Sequence, residues 1–447
     1  VENLAGLGLR VLAFAALDRE GGAAGSAGAG GTAQASASPG AREGETFSGL
    51  PVLSPDAALS LGPDRVVVAA ADPVPVLDEL AARGLDPATV LLHPGLEDPA
   101  RGVYHLLGHE RYAHPGWRYL YLPLNFTCNL NCRHCVNLPG DECRAWVRPF
   151  DTFVRHLSAF DPGRFASLAL HGGEIGLLPR AMDYFQEAAR RGWGNFSLVT
   201  NGTGGGKPHF SRLMEDGLLG ELFISIEAAG PELYRSIRGV DIDRFLDFAA
   251  WAVARKKETG STACLTFSVA CMDANLEQCP DIVDLAARLG LDRVLFFPIY
   301  THTDIRGEDG RPEDWADKLC VEAQRLDHVA RERAVDVFGR VKERAARHGL
   351  ALTLPRHYPE LTGSPEPARH FRCPTPFEWV AVWGGGEVHP CCQGGMSLPY
   401  MGTVEEESFE DIWRGPFYRR LISGLAPGGR PYARCPGCNT YKGYAPL

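Results

Sequence analysis

From Tyr119 to about residue 300 the chain alternates strand and helix signals without interruption, and that regularity restricts it to very few folds. The strand signals are "YLYLPLNF", "FASLALHGG", "NFSLVTNG", "ELFISIEAAG", "ACLTFSVACMD" and "RVLFFPIY". Between them lie amphipathic helix signals near Phe150 to Ala159, then "RAMDYFQEAARRG", "RFLDFAAWAVARKKETG" and "CPDIVDLAARLG". Six β–α units in series predict a parallel sheet with helices outside, a partial (β/α)6 barrel with its chemistry at the carboxyl ends of the strands.

The flanks read differently. Residues 9–17, "LRVLAFAAL", predict a buried strand, and residues 20–46 are a Gly/Ala/Ser-rich stretch with little to bury and much backbone entropy to lose. Strand signals resume at "LPVLS" and "DRVVVAAAD", followed by a helix "VPVLDELAARG" and a strand "ATVLLHP". Residues 1–113 are therefore expected to form a Rossmann-like α/β domain. The glycine fingerprint of a nucleotide site is missing, since "GLGLR" precedes the strand instead of following it, so docking or dimerisation is the expected role. Residues 114–350 hold the barrel, closed by a helical segment from about Glu313 to His348. A separate module is expected over 351–447, with a hairpin at "WVAVWGGGEVHPCC", a helix at "SFEDIWRGPFYRRLISGL" and a terminal "RCPGC".

Composition narrows the partners. With 45 basic against 55 acidic residues the net charge is −10, and no Lys/Arg run stands out to hold a phosphate backbone or anionic lipid. Nucleic acid and membrane surfaces are not expected partners. The longest apolar run, "VLAFAAL", is too short to span a bilayer, and its flank lacks a basic segment, so the expected location is cytoplasmic. In that compartment the 13 cysteines point to metal ligation or catalysis before disulfides.

Three of them, Cys128, Cys132 and Cys135, crowd "CNLNCRHC" just after the first barrel strand. Three thiolates on one loop suit a [4Fe–4S] cubane with one iron left open, whereas structural zinc takes a closed set of four. Cys-x3-Cys-x2-Cys at this place in a β/α barrel resembles the radical S-adenosylmethionine superfamily. The resemblance implies that the open iron chelates S-adenosylmethionine and that an electron from the cluster cleaves it to a 5′-deoxyadenosyl radical.

Later strand ends agree with that family. "HGGE" resembles its GGE element, which implies cofactor contacts from Gly172, Gly173 and Glu174. "TNGT" matches the third strand end and implies Asn201; "SIEAAGPELYRSIRG" matches the fourth and implies Ser225 and Glu227 near the ribose and Arg238 near the carboxylate; Asn275 falls at the fifth. Two departures stand out: His134 replaces the common aromatic residue before the third cysteine, and Ile175 replaces the Pro that often follows GGE.

In the C-terminal module, Cys373, Cys391, Cys435 and Cys438 are spaced 18, 44 and 3 positions apart. Four thiols suit either zinc or a fully ligated [4Fe–4S] cluster. The spacing is similar to the twitch form of the SPASM domain, which implies a second, auxiliary [4Fe–4S] cluster and a reductant such as flavodoxin or ferredoxin. It is also similar to aminocyclitol and sugar enzymes of antibiotic pathways, and the N-terminal unit to the dinucleotide-fold modules of some sugar-modifying enzymes. The implied substrate is a small molecule or oligosaccharide, attacked at a carbinol carbon. Epimerisation needs a free thiol as hydrogen donor, and Cys392 is the first candidate, with Cys271 as the second. The alternatives are a dehydrogenase that yields a ketone and a peptide maturase.

Overall fold

The computed structural model describes residues 117–135, 145–299, 324–355, 375–391 and 400–425, single positions at 358, 373, 432 and 435, and five short strands before residue 93. The chain divides into two compact units, Val1–Pro115 and Gly116–Leu447. In the first, Phe14–Ala15, Thr46–Phe47 and Leu50–Leu53 form a three-stranded sheet with the last in the centre, and Val66–Val68 pairs in parallel with Val90–Leu92. A parallel pair needs a crossover between its strands; the helix expected at residues 74–84 lies outside the described residues, as does the Gly/Ala/Ser-rich stretch up to Thr46.

The second unit is built on one ten-stranded sheet. Its barrel strands are β1 (Trp117–Tyr121), β2 (Phe165–Ala169), β3 (Phe196–Thr200), β4 (Leu219–Ser225), β5 (Cys264–Cys271) and β6 (Arg293–Pro298). Each pairs in parallel with the next. The helices outside are α1 (Phe150–Leu157), α2 (Ala181–Arg190), α3 (Lys207–Glu215), α4 (Pro231–Arg238), α5 (Asp243–Thr259), α6 (Cys279–Leu289) and α7 (Arg331–His348). Their apolar faces meet the outer face of the sheet in a core that includes Phe153, Phe185, Phe196, Phe210, Phe245, Phe267, Phe296 and Phe338, all at most 1% exposed. Burial of such rings is the main force closing helices onto strands.

Several boundaries differ from the sequence reading. β1 ends at Tyr121, two residues before Pro123, which has no N–H for a ladder. The last barrel helix begins at Arg331 instead of Glu313, because Val329 and Ala330 are extended; residues 300–323 lie outside the described residues. The helix expected from Ser408 onward is two, α8 (Phe409–Trp413) and α9 (Pro416–Leu425), broken where Pro416 disfavours a helical residue before it. Ser408 caps α8 by accepting the Asp411 N–H at 3.2 Å.

The C-terminal hairpin is not a separate layer. β7 (Ala351–Thr353) extends the sheet beside β6, and β8 (Trp379–Val382) pairs in parallel with β1, matching Trp379 to Tyr119 and Ala381 to Tyr121. β9 (Glu387–His389) returns antiparallel through a turn in which Gly386 has φ +87°, and β10 (Gly402–Thr403) follows. The pairing fills the edge groups that β1 would otherwise leave open. No helix among the described residues is long and apolar enough to cross a membrane.

Candidate active site at the carboxyl end of the barrel

The cysteine loop leaves β1 across a tightly braced floor. Gly173 N–H donates to the Asn125 carbonyl at 2.6 Å and Glu174 N–H to that of Thr127 at 2.7 Å. A Cβ on Gly172 would lie 2.4 Å from the Asn125 oxygen, and one on Gly173 2.2 Å from that of Thr127. The glycines of "HGGE" are thus required by two backbone segments in contact.

Beyond that floor, Leu130 N–H points at Cys128 Sγ at 3.4 Å, and Cys135 N–H closes a turn on the Cys132 carbonyl at 3.1 Å. Asn201, just after β3, ties the loop from the side: its Nδ2 donates to Asn129 Oδ1 at 3.0 Å and lies 3.6 Å from Cys128 Sγ. Thr203 Oγ1 donates to Asn201 Oδ1 and accepts from Asn129 Nδ2. Asn129 and Thr203 are site residues that strand and cysteine patterns do not reveal.

On the opposite side, Arg133 N–H donates to the Ile237 carbonyl at 2.9 Å. His134 Nε2 lies 3.3 Å from Glu227 Oε1, and Arg238 Nε donates to Glu227 Oε2. Burial opposes ionisation of Glu227, yet Arg238 and His134 together bring its pKa down to about 2; burial likewise opposes the charge on Arg238, but Glu227 raises its pKa. Burial pushes the Cys132 thiol up to about 12, with the Arg238 charge acting against it.

Not every expected contact faces a cofactor. Glu174 is 1% exposed, and its carboxylate accepts from Thr200 Oγ1 at 2.8 Å, the Asn201 N–H at 2.7 Å and the Gly176 N–H at 3.2 Å. It braces the ends of β2 and β3. Burial raises its pKa while those three donors oppose the rise. Asn275 is fully buried and spends its amide on its own turn, accepting from Met272 N–H and donating to the Ala270 carbonyl. Both oxygens of Glu227 contact protein groups, Arg238 and His134, so it supports Arg238 whatever else it accepts. Ser225 is half-buried and in register with half-buried Ser268 on β5.

Cys271 is placed on the wrong face for a hydrogen donor. Leu265, Phe267, Val269 and Cys271 alternate to one side of β5, and Phe267 packs on Phe245 of α5 with centroids 5.4 Å apart, so that side faces the helices. Cys271 is fully buried beside Cys279 of α6, and burial raises its pKa well above the usual range. Cys392 and Cys438 lie outside the described residues. Of the auxiliary set, Cys391 is 8% exposed at the end of β9, and Cys373 and Cys435 are half-buried.

The lumen has two unlike walls. Tyr121 packs against His171 (4.8 Å), Trp379 (6.2 Å) and Trp383 (6.4 Å), while Tyr119 packs against Trp379 and donates to Glu221 Oε2 at 2.7 Å. Ser225 and Ser268 stand on β4 and β5 across from these rings. Since β9 runs antiparallel to β8, Cys391 lies two residues beyond the Ala381–His389 pair toward the amino end, away from the cysteine triplet.

The residues fit the implied cofactors. Among the described residues no three His, Cys, Asp or Glu side chains converge on a single ion, whereas a cubane takes its thiolates at separate corners. Among the described residues, buried His134 Nδ1, Tyr234 Oη and Arg238 Nη2 have no partner, and all three belong to the elements that flank Cys132. Buried polar atoms of that kind carry a desolvation cost that a polar ligand relieves.

Residues 122–286 match the radical SAM superfamily, and residues 373–439 match the SPASM iron–sulfur cluster-binding domain. The chain therefore carries a radical SAM domain followed by a SPASM cluster-binding domain, whose cofactors are S-adenosylmethionine, its [4Fe–4S] cluster and auxiliary cluster iron. Among curated proteins it is similar to "Pre-heme d1 synthase" of Dinoroseobacter shibae, 27% identical over 352 residues, or 70% of this chain and 77% of that one. It is also similar to the "Probable GTP 3′,8-cyclase" of Thermoplasma volcanium, 28% identical over 169 residues, or 38% of this chain and 50% of that one. Among solved structures it is similar to Streptococcus suis SuiB bound to S-adenosylmethionine, with TM-score 0.54 and 15% identity over 73% of this chain and 72% of that one. SuiB bound to precursor peptide SuiA gives TM-score 0.51 and 17% identity over 73% and 70%. The likeness to SuiB concerns the fold.

Proposed function

We propose that this chain epimerises a carbinol carbon of a carbohydrate-type small molecule held in the barrel lumen, with Cys392 as the hydrogen donor. The observation that carries this reading is the register that puts Cys391 toward the amino end of the lumen, opposite the end at which the cysteine triplet follows β1. A substrate between them presents one face to the triplet and the other toward Cys391. The aromatic wall of Tyr121, Trp379 and Trp383 suits the C–H face of a sugar ring, and Ser225 and Ser268 suit its hydroxyls.

When bound, the cluster and S-adenosylmethionine supply a 5′-deoxyadenosyl radical. The chain's own groups hold and orient: Arg238 offers Nη2 to a carboxylate, the tyrosine and tryptophan rings exclude water, and Asn201 steadies the loop. After one hydrogen atom has left the substrate carbon, the Cys392 S–H donates another from the opposite face and the centre inverts. The sulfur radical returns to a thiol by taking one electron from the reductant and one proton.

Turnover in deuterated water tests this reading, since an exchangeable thiol places deuterium on the inverted carbon. A ketone product without label would overturn epimerisation in favour of the dehydrogenase. A second reading, modification of a macrocyclic small molecule, is favoured by one observation: the similarity to the D. shibae synthase runs over 352 residues. Cofactor cleavage stimulated by a tetrapyrrole and not by sugars would select it, and stimulation by peptide alone would select a maturase.

A further inference from the structure

The turn Cys132–Cys135 is fastened to the end of α4 directly and, through Glu227 just after β4, a second time by way of Arg238. The main chain makes one link, from Arg133 N–H to the Ile237 carbonyl at 2.9 Å, and a side chain makes the other, from His134 Nε2 to Glu227 Oε1 at 3.3 Å. Glu227, 2% exposed, holds Arg238, 4% exposed, by its Nε. A guanidinium is a rigid planar fork, so capture at Nε fixes the direction of the remaining N–H groups. Here Nη2 is left buried and without a partner among the described residues. Without His134, Glu227 Oε1 would be buried with one donor fewer, and the carboxylate could turn and carry Arg238 with it.

We propose that His134 is a positioning residue for S-adenosylmethionine: through Glu227 it keeps Arg238 Nη2 presented to the cofactor carboxylate. This makes order in the cysteine loop and formation of the cofactor pocket one event, because the same turn that ends in Cys135 supplies the imidazole. The proposal rests on the radical SAM domain and is independent of the reaction proposed above.

The test uses the full chain, reconstituted without oxygen, in three variants: His134→Phe, His134→Gln and Glu227→Gln. Iron and sulfide content, equilibrium dialysis of S-adenosylmethionine and the electron paramagnetic resonance spectrum of the reduced cluster are read for each. His134→Phe is expected to load its cluster, bind the cofactor at least roughly ten-fold more weakly and lose the cofactor-induced spectral shift at a concentration that saturates the parent chain. His134→Gln, whose amide N–H replaces the ring donor, is expected to recover most of the affinity. Parent affinity in His134→Phe, or equal loss in the Phe and Gln variants, overturns the proposal. Should His134→Phe fail to load a cluster, Glu227→Gln decides: weakened binding supports the proposal and unchanged binding overturns it.

Discussion

Arg148 Nη1 lies 2.6 Å from His156 Nδ1, and the pair fastens the barrel to the C-terminal hairpin. The same guanidinium donates to the carbonyls of Pro123, Val382 and Trp383. Because arginine only donates, Nδ1 accepts, and His156 Nε2–H is left to donate to Glu405 at 2.6 Å. Arg148 is fully buried, and burial lowers its pKa to about 10.

Replacing Arg148 by Met removes that whole set of donors and strands buried carbonyls. The expected loss is about 3–5 kcal/mol in stability, read from denaturant unfolding. Lys, a point charge without the fork, is expected to restore little; full stability in either variant would contradict the latch.

His156 should also make stability pH-dependent. Burial is the first cause of its lowered pKa, the Arg148 charge adds to it, and Glu405 opposes it. A histidine depressed in the folded state binds its proton preferentially when unfolded, so its contribution is full above the ordinary value of about 6.5 and is lost as pH falls below it. Unfolding midpoints measured from pH 7 to 5 should fall, and His156→Gln should flatten the slope. His171, lowered to about 4 by burial, acts in the same direction and keeps the slope from vanishing.

Gly173→Ala should be among the most damaging conservative changes. Its Cβ would meet the Thr127 oxygen at 2.2 Å, a backbone atom that cannot turn away. Loss of several kcal/mol, on the order of 3, is expected with failure to load the triplet's cluster. Gly194→Ala, where the new Cβ meets nothing within 4 Å, is the control and should melt like the parent chain.

Cys271→Ala should leave the stereochemical outcome unchanged, because its thiol faces the helix layer, and should cost about 1 kcal/mol of stability. Cys392→Ala should still cleave S-adenosylmethionine but give no inverted product. Chiral analysis of the product separates the two, and loss of inversion in Cys271→Ala would contradict the outward orientation of Cys271 on β5.

The period-2 apolar strands and Gly-bounded amphipathic helices made the barrel legible, because alternation of that kind has few packings. β8 joining β1 was not legible: strand pairing across some 260 residues leaves no local signal, and "WVAVWGGGEVH" reads as a hairpin whatever lies beside it. At the site the pattern named Cys128, Cys132, Cys135 and Arg238, whose chemistry is fixed by residue type. It assigned Glu174, Glu227 and Asn275 to the cofactor without revealing their protein partners, since a polar side chain near a strand end serves either a ligand or the backbone. Only the partners decide, and here they are Thr200, His134 and Met272. His134 stood out as a departure from the family pattern; its distance to Glu227 gives that departure a purpose.

The most direct measurement is 5′-deoxyadenosine formation by the chain reconstituted without oxygen and supplied with S-adenosylmethionine and a chemical reductant, set against Cys132→Ala treated identically. Formation by the parent chain and none by the variant is the result predicted for a cluster held by Cys128, Cys132 and Cys135. Equal formation by both, or none by a parent chain with its iron and sulfide in place, would contradict it.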